Sequence, residues 1–530
     1  MFAIAESPIE PGVIWAGSDD GLVHVTRDGG QHWDNVTPPK TIMPEWIMIN
    51  EIEASPFDKG AAYVAATMYK SDDFHPYLYK TMDYGKTWTK IVDGIPSNEF
   101  SRVIRSDTKK RGLLFAGTER GVYVSYDDGA HWQSLQQKLP IVPIHDMLVH
   151  DDALILATHG RGFWMLDDIE PLRQLTSDVA TQPVHLFTPA ATWRMEGGRG
   201  FGGGGGARTE GSNPPNGAIV DFTLRDQKPG TKVSLAFLGP DGKVLRELKG
   251  EVQAEAAKPA EVKAGVAPPP PAAQPTEAIK SEGGSAEQQP TAEAAGEEEE
   301  ETGRRRDTDR LTGITNGHNR VTWNLRMPEA KRFPGMVLWS GGTQGPRVLP
   351  GTYSVRLTVG DQPPQTATFE VRRDPRTAVS PADLKAQYDF VMGVHDKLSQ
   401  MNEQITRIRD VRKSLTDIKK RAGDNKTIVN AANDLDKKMT AIEEALYQTK
   451  NHASEDPLNF PIKLNDKLAG VGDSAATGSN TPTAQQIAVR DELVAQIDAQ
   501  LAQLKAIWDT DLPAFNKLVS DQKVPAVAVK

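Results

Sequence analysis

The sequence predicts a multidomain protein with a partial β-propeller at its start, a β-sandwich in its middle and an α-helical bundle at its end. Three observations in the 530-residue chain predict this order. A box of the form Ser/Thr-x-Asp-x-Gly-x-x-Trp occurs three times before residue 133. Alternating β-prone runs then flank a tract rich in Pro, Ala and Glu. Apolar residues at heptad spacing follow residue 380.

The box stands as TRDGGQHW (Thr26 to Trp33), TMDYGKTW (Thr81 to Trp88) and SYDDGAHW (Ser125 to Trp132). We interpret it as the hairpin turn between the third and fourth strands of a repeat. Its Asp can accept bonds from backbone N–H groups, its Gly can take a positive φ, and its Trp can pack over the turn or between repeats. The box residues are therefore expected to be structural rather than catalytic: Asp28, Gly30, Trp33, Asp83, Gly85, Trp88, Asp127, Gly129 and Trp132.

Each box belongs to a unit of four short β-prone runs separated by Pro, Gly and Asp. In the first unit we predict strands at Phe2–Glu6, Val13–Ala16, Leu22–Thr26 and His32–Val36. The boxes recur after 55 and then 44 residues. Four strands in about 40–50 residues is the period of a propeller blade.

A fourth unit, ALILATHGRGFWMLDDI (Ala153 to Ile169), is degenerate. Asp168 falls at the box position, but the Gly and Trp that should follow it are missing. We therefore predict a partial β-propeller over residues 1–175. Because propellers have typically four to eight blades, fewer than four full blades cannot close a ring alone. We expect either that the chain is the C-terminal portion of a longer protein or that another chain completes the blades, through self-association at open propeller edges.

Strands resume from about Val184. The runs AIVDFTL, VSLAFLG and VLREL alternate around the turn GPDG, and NRVTWNL and LPGTYSVRLTVG follow later. They predict one Ig-like β-sandwich over residues 184–250 and 311–373, with Trp323 and Tyr353 in its core. The residues 251–310 are rich in Pro, Ala, Glu and Gln and cannot bury a core, so we predict a disordered insertion.

Heptad seams predict a helical bundle over residues 380–520, with Ser380 as N-cap and Pro381 at the first helical position. We expect three antiparallel helices, and the linker DPLNFPIKLNDKLAGVGD is expected to pack on the end of the bundle. An autonomous bundle is favoured over a coiled coil that binds a partner. The seams are Val391, Val394, Leu398, Met401, Ile405, Ile408 and Leu415; then Ile428, Ala432, Leu435, Met439, Ile442 and Leu446; then Ile487, Val494, Ile497, Leu501, Leu504 and Trp508.

Composition excludes several classes of site. The net charge is −10, and the run Glu297 to Glu301 supplies half of it. The sequence has no basic stripe that would indicate nucleic-acid binding. The chain has no cysteine, which excludes disulfides and thiolate metal sites. No apolar run approaches the ~20 residues of a membrane span, and MFAIAESPIEPG is not a signal peptide. We expect no cofactor and no metal, because the spacing of His145, Asp146, His150 and His159 does not match a helical zinc motif.

The repeated box resembles the Asp-box, or BNR repeat, of sialidases, xyloglucanases and the sortilin N-terminal domain. The run GHNRVTWNL…LPGTYSVRLTV resembles the Ig-like domain of flagellar hook-capping proteins. The whole order, with THGRGFWMLDD, NPPNGA and PIKLNDKLAG, resembles bacterial proteins with a sortilin-type propeller, often labelled glycosyl hydrolase or BNR-repeat proteins. The resemblance implies an extracytoplasmic location, periplasmic or secreted.

The candidate binding face lies opposite the boxes. If the box joins strands three and four, the loops between strands two and three lie at the other end of each blade, together with the links between blades. Propeller ligands commonly bind on one such face. The loop residues are Asp19, Asp72, Asp73, Glu119, Arg120, His159 and Arg161, and the links add Glu45, Trp46, Glu99, His145 and Asp146.

Two functions are compatible with these residues. The first is a ligand-binding or scaffold protein that captures a peptide or a glycan on this face and is not catalytic. The second is an exported glycoside hydrolase, sialidase- or xyloglucanase-like, with part of its site on missing blades. Such enzymes usually need two carboxylates flanking the scissile bond, and no catalytic pair can be assigned from the sequence. A carboxylate pair with a raised pKa on one member would favour the hydrolase.

Overall fold

The computed structural model describes residues 1–195, 215–254 and 309–524. Most of the predicted disordered insertion lies outside the described residues, and so does the glycine-rich run GGRGFGGGGG (Gly197 to Gly206). The described residues divide into two compact units, one ending at Gln182 and the other beginning at Pro183. The first unit is mostly β-sheet. The second unit combines β-sheets with a C-terminal helical region.

The first unit contains four antiparallel sheets in which each strand pairs with the next along the chain. The first sheet has β1 (Ala3–Glu6), β2 (Ile14–Gly17), β3 (Val23–Thr26) and β4 (Asp34–Asn35). The second has β5 (Met48–Ala54), β6 (Ala62–Met68), β7 (Asp73–Thr81) and β8 (Thr89–Lys90). The third has β9 (Ser101–Ser106), β10 (Leu114–Thr118), β11 (Val122–Ser125) and β12 (Gln133–Ser134). The fourth has β13 (Ile144–His150), β14 (Ala153–Thr158) and β15 (Phe163–Leu166).

The fourth strands are shorter than the sequence predicted. The run His32–Val36 contributes only the two residues of β4, because the box turn uses the preceding residues. The fourth sheet lacks this strand, and the chain continues from Asp168 into two short helices, α1 (Glu170–Gln174) and α2 (Ser177–Thr181). In β2 alternate positions are buried, as expected for a strand with a period of two, whereas every residue of β10 and β11 is buried. Trp15, Ile49 and Tyr79 are fully buried between the first two sheets.

The box turns are held by the same bonds in all three sheets. The hydroxyl of Thr26, Thr81 or Ser125 donates to the Asp two residues later at 2.8–2.9 Å and accepts from the backbone N–H of the box Gly at 2.9 Å. That Asp also accepts the N–H four residues further on, at 2.9–3.0 Å. The turn is therefore fixed by its own side chains, which explains the fixed offsets in the sequence.

The second unit begins with two sheets that share one core, which we call the sheet pair. The smaller sheet has the order β16 (Val184–Leu186), β18 (Ala218–Leu224) and β21 (Gly317–Trp323). The larger sheet has the order β17 (Thr192–Arg194), β23 (Gln365–Arg373), β22 (Gly351–Val359), β19 (Lys232–Leu238) and β20 (Val244–Glu251). Trp323 stacks on Phe237 with ring centroids 4.6 Å apart and meets Tyr353 edge-on at 5.9 Å. Both predicted core aromatics are buried.

The helical region consists of α3 (Pro381–Ala422), α4 (Lys426–Leu446), α5 (Leu464–Ala476), α6 (Ala484–Ala506) and α7 (Leu512–Asp521). Ser380 caps α3 as predicted, in a reciprocal capping box with Asp383. The first two seams are buried. In the third seam Ile487 is exposed. Leu493, which precedes the seam residue Val494, is buried instead. No helix in the described ranges is long and apolar enough to cross a membrane.

The segment DPLNFPIKLNDKLAGVGD, which was expected to be a linker between the second and third seams, is partly helical. Its second half forms α5, whose Leu468 and Ala469 are buried in the helical core. This helix is difficult to predict from the sequence, because the glycines and the short length of the helix weaken the heptad pattern. A strap formed by residues 328–346 also packs on the helices, and its Phe333 and Met336 belong to the helical core.

Candidate functional site

The loops between second and third strands lie at the end of each sheet opposite the box turns, because consecutive strands are antiparallel. Backbone bonds tie these loops to neighbouring segments. The N–H of Glu119 donates to the carbonyl of Phe100 at 3.1 Å, and the N–H of His159 donates to that of Pro143 at 3.0 Å. In the third and fourth sheets, each of these loops is therefore held against the link that precedes its sheet.

Three aromatic side chains form a group on this face, which we call the aromatic cluster: Tyr69, Phe74 and Phe100. Tyr69 and Phe100 are stacked at 5.0 Å, and Phe74 lies 6.0 Å from Phe100. Phe100 is buried, whereas Phe74 is 45% exposed. The cluster thus presents an aromatic ring to solvent on a packed support, which is an arrangement suited to contact a ligand.

Arg102 joins the aromatic cluster to the predicted acid Glu119. The guanidinium lies 5.0 Å from the ring centroid of Phe100 and 5.6 Å from that of Tyr69. Its Nε donates to a Glu119 oxygen at 2.6 Å. The carboxylate of Glu119 is therefore held in an ion pair beside aromatic rings.

A second ion pair involves the predicted Arg120. This side chain lies 3.5 Å from Glu99, which also accepts a bond from the hydroxyl of Tyr123 at 2.8 Å. Burial, assisted by this carboxylate, raises the pKa of Tyr123. The phenol therefore keeps its proton at neutral pH and donates a hydrogen bond to Glu99.

His159 meets His145, with ring centroids 4.8 Å apart. Partial burial lowers the pKa of His145, and the positive charges of Arg102 and His159 lower it further, against the opposing effect of Glu119. His145 is thus predominantly neutral at pH 7 and can both donate and accept hydrogen bonds. This links the histidine pair electrostatically to the Arg102–Glu119 pair.

Of the other predicted loop residues, Asp72 joins this group through its backbone N–H, which donates to the carbonyl of Tyr69 at 3.2 Å. Asp73 accepts bonds from Tyr77 at 2.7 Å and from the ring of His75 at 2.7 Å. Burial acts to raise the pKa of Asp73, but these bonds outweigh it and lower the pKa. Asp19, Asp72 and Arg161 are exposed in their loops.

Sequence reasoning missed a second charged group, which we call the Arg105 cluster. Arg105 on β9 lies 2.7 Å from Glu51 and 3.4 Å from Glu53, both on β5, and 2.8 Å from Asp146 on β13. One guanidinium thus connects the first strands of three consecutive sheets. Of these four residues, the sequence analysis identifies only Asp146 as a candidate, in a link between blades.

Glu53 has a strongly perturbed acidity. Burial raises the pKa of Glu53 to about 7, although the charge of Arg105 and the N–H of Ser106 oppose the change. The negative charges of Glu51 and Asp146 raise it further. The cluster therefore contains a carboxyl group that can exchange a proton near neutral pH.

A repeat alignment could have found this cluster. Glu53 and Arg105 each stand seven residues before the glycine of the following turn, Gly60 or Gly112. Opposite charges at one position of successive repeats indicate side chains that meet between neighbouring sheets. Among the residues that the structure describes, no group of three or more His, Asp or Glu could hold a metal ion.

No protein-family profile matches the chain, and no curated protein matches it. Similar solved structures include YCF48 bound to D1 peptide, with 19% identity and a TM-score of 0.25 over 31% of this chain and 50% of that chain. The GH74 xyloglucanase from Xanthomonas campestris has 16% identity and a TM-score of 0.27 over 36% and 32%. The GH74 enzyme from Niastella koreensis has 14% identity and a TM-score of 0.26 over 47% and 40%.

These neighbours are β-propeller proteins. The chain spans about half of the YCF48 chain and about a third of the xyloglucanase. At these scores the likeness carries no argument about what this chain binds or does.

Proposed function

We propose that this chain is a ligand-binding or scaffold protein that captures a peptide or a glycan on the face formed by the aromatic cluster and its flanking charges. The observation that carries the proposal is the exposed ring of Phe74 on the buried support of Phe100. Folding leaves this large apolar surface in water, although burial would stabilise it. A ligand that covers the ring would recover that free energy.

The neighbouring groups suit a ligand with both apolar and polar parts. Aromatic faces accept apolar side chains or the C–H faces of a sugar. The Arg102–Glu119 pair supplies a donor and an acceptor beside them. The histidine pair adds further hydrogen-bonding capacity. Both predicted ligand classes, peptide and glycan, match this chemistry.

The test is a binding screen of the full chain against peptide and oligosaccharide arrays, followed by calorimetric titration of each hit. We expect Phe74→Ala to raise the dissociation constant of a hit by about tenfold or more. Met82→Ala is the matched control, because Met82 is 49% exposed but lies in a box turn at the other end of its sheet. Equal weakening by both variants, or by neither, would refute the site.

The alternative function, a glycoside hydrolase, is favoured by one observation. Glu53 has a pKa of about 7 and lies with Glu51 and Asp146 around Arg105, so a protonated acid and an ionised carboxylate can coexist there. Such a division of roles is what glycosidases require. Hydrolysis of chromogenic glycosides by the wild-type chain, abolished in Glu53→Gln, would establish this activity in place of the binding function.

We further propose that the first three sheets of the first unit are Asp-box blades and the fourth a degenerate blade of a partial, sortilin-like β-propeller, and that the sheet pair is an Ig-like domain. The box bonds and the stacked aromatic core support these assignments. The domain divisions 1–175, 184–250 with 311–373, and 380–520 are part of the same proposal. So are an extracytoplasmic location and self-association through open propeller edges. Light scattering of the purified chain would detect such self-association as a discrete oligomer.

A further inference from the structure

The fourth sheet of the first unit presents apolar side chains to solvent on one of its faces. Leu148, Ile155 and Met165 are direct neighbours across β13, β14 and β15. Leu148 is 54% exposed and Met165 is 56% exposed. Phe163 precedes Met165 by two residues, so it lies on the same face of β15, and it is exposed as well. These four residues form one contiguous patch, which we call the sheet-4 face.

The sheet-4 face has the pattern of a contact between consecutive sheets. In the first three sheets, one position of the second strand holds Trp15, Tyr63 or Phe115, and each of these rings is buried against apolar residues of the next sheet. The run LFAGT of β10 aligns with LILAT of β14, which places Ile155 at the same position of the fourth sheet. The described residues of the first unit form no fifth sheet. Ile155 is therefore only half-buried.

The first sheet exposes its opposite face, which we call the sheet-1 face. Because Trp15 lies on the covered face, its neighbour Ile14 lies on the other one. Strand β1 places Ile4 on the same side as Ile14, and Ile4 is 60% exposed. At the position of Ile14, the second and third sheets have Ala62 and Leu114, which are fully buried against the preceding sheet. The sheet-1 face is thus apolar at positions that the following sheets use for packing.

The two faces are the two halves of the contact that joins each sheet to the next. One chain carries both halves, so copies of the chain can join by the contact that already repeats inside it. Contacts of this head-to-tail kind close a ring when the rotation between copies permits it. Propellers have typically four to eight sheets. Two chains of four sheets supply eight, whereas three chains would supply twelve, which exceeds that range.

We infer that the sheet-4 face of one copy packs on the sheet-1 face of a second copy, and that two copies close one ring of eight sheets. The inference rests on the proposed assignment of the four sheets as propeller blades, and it names the partner and the surfaces of the proposed self-association. Burial of Leu148, Phe163 and Met165 in this contact would recover the free energy that their exposure to water costs. Each copy would add its loops to the same candidate binding face.

The test is analytical ultracentrifugation of the full chain over a dilution series. We expect a monomer–dimer equilibrium with no larger species. Ile4→Glu and Met165→Lys each place a charge on one of the two faces, so each should raise the dissociation constant of the dimer by at least about tenfold. Leu458→Glu is the matched control, because Leu458 is similarly exposed but belongs to the second unit, and it should dimerise as the wild type does. Circular dichroism verifies that each variant is folded.

A mixture of the two variants identifies which faces meet. In a mixed dimer, one contact is unaltered, and in the other the two introduced charges have opposite signs. We therefore expect an equimolar mixture of Ile4→Glu and Met165→Lys to dimerise more tightly than either variant alone. A contact between two sheet-4 faces would instead be insensitive to Ile4→Glu, and that result would overturn the inference.

The inference is wrong if the full chain is monomeric, if it forms species larger than a dimer, or if both face variants dimerise like the wild type. In the last case the proposed self-association stands but uses another surface. A monomer that binds a peptide or a glycan through Phe74 would refute the dimer and leave the proposed binding function intact. Where Met165→Lys does not fold, Leu148→Lys on the same face replaces it, with the same expected result.

Discussion

At the scale of single residues, the box aspartates show how hydrogen bonds from one side chain stabilise a turn. Asp83 accepts the hydroxyl of Thr87 at 2.7 Å and its backbone N–H at 2.9 Å, and also the hydroxyl of Thr81 at 2.9 Å. The side-chain and backbone bonds from Thr87 lower the pKa of Asp83 in the folded chain. The ionised form is therefore the one that stabilises the turn.

The first prediction concerns Asp83→Asn. A lowered pKa means that the stabilisation is complete above the unfolded value of about 3.9 and is lost as the pH falls through the folded value. We expect the variant to lose about 1–2 kcal/mol of unfolding free energy at pH 7 and to converge with the wild type as the pH falls through the lowered pKa of Asp83. Urea unfolding between pH 2 and 7 measures this. Asp19→Asn, in an exposed loop, is the control, and an equal loss in both variants would contradict the turn's role.

The second prediction compares box tryptophans. Trp88 and Trp132 are buried and donate through Nε1 to the carbonyls of Val36 and Ile91 in the preceding sheet, at 2.7 and 2.9 Å. A Cβ on Gly85 would lie only 2.5 Å from Val36, so the box packs directly on that sheet. Trp33 belongs to the first described sheet and is 42% exposed.

We therefore expect Trp88→Ala to cost about 3–5 kcal/mol, the usual loss for a buried aromatic side chain. Trp33→Ala should cost less than about half of that, because much of its surface is already in water. Urea unfolding, monitored by far-ultraviolet circular dichroism, compares the stabilities of the two variants without relying on tryptophan fluorescence. Equal losses would show that Trp33 is covered in solution by something that the described residues do not supply.

The third prediction uses the raised pKa of Glu53, about 7. The folded chain binds this proton more tightly than the unfolded chain, whose Glu has a pKa of about 4.3, so the wild-type stability falls as the pH rises from about 4 to 7. Glu53→Gln removes this dependence. Relative to the wild type, the variant should gain about 1–3 kcal/mol between pH 5 and pH 8. The control is Glu45→Gln, in an exposed link, and a parallel pH profile for Glu53→Gln and the wild type would argue against the shift.

At the scale of elements, the strap depends on α5. The carboxylate of Asp466, in the first turn of α5, accepts the backbone N–H groups of Trp339 and Ser340 at 2.7–3.1 Å. Asp466 is almost fully buried, so removing it leaves two donors without an acceptor. Asp473, near the other end of the same helix, accepts the N–H of Gly342 and is exposed.

The fourth prediction follows from this difference. Asp466→Ala should destabilise the second unit by about 2–3 kcal/mol and speed amide exchange at Trp339 and Ser340. Asp473→Ala should cost less than about 1 kcal/mol, because water can replace its carboxylate. Hydrogen exchange with mass spectrometry on the full chain measures both. Slow exchange at Trp339 in a folded Asp466→Ala variant would refute the anchoring role.

At the scale of the whole molecule, the sequence predicts what depends on local chemistry and misses what depends on contact between distant segments. The box turns could be predicted because Thr81, Asp83 and Thr87 interact within one turn. The Arg105 cluster could not be found from strand alternation, which assigns a face to each residue but does not show that β5, β9 and β13 meet. The strap was missed for the same reason, because residues 328–346 have no heptad or strand pattern of their own and are ordered by helices that come later in the chain.

The fifth prediction tests the strap at this scale. Phe333 lies between strands of the sheet pair in the sequence, yet it packs in the helical core, edge-on to Tyr447 at 4.8 Å and under the guanidinium of Arg409 at 4.5 Å. Phe333→Ala should therefore destabilise the helices, by about 3–5 kcal/mol, and speed amide exchange in α3 and α4.

The matched control is Phe237→Ala, which removes an equally buried ring from the core of the sheet pair. If the strap joins the sheet pair and the helices into one cooperative unit, both variants speed exchange in α4. If the sheet pair and the helices open independently, Phe237→Ala leaves α4 protected while Phe333→Ala does not. Protection of α4 in a folded Phe333→Ala chain would mean that the helical core does not need the strap, and that residues 380–520 behave as the autonomous bundle that the heptad seams predict.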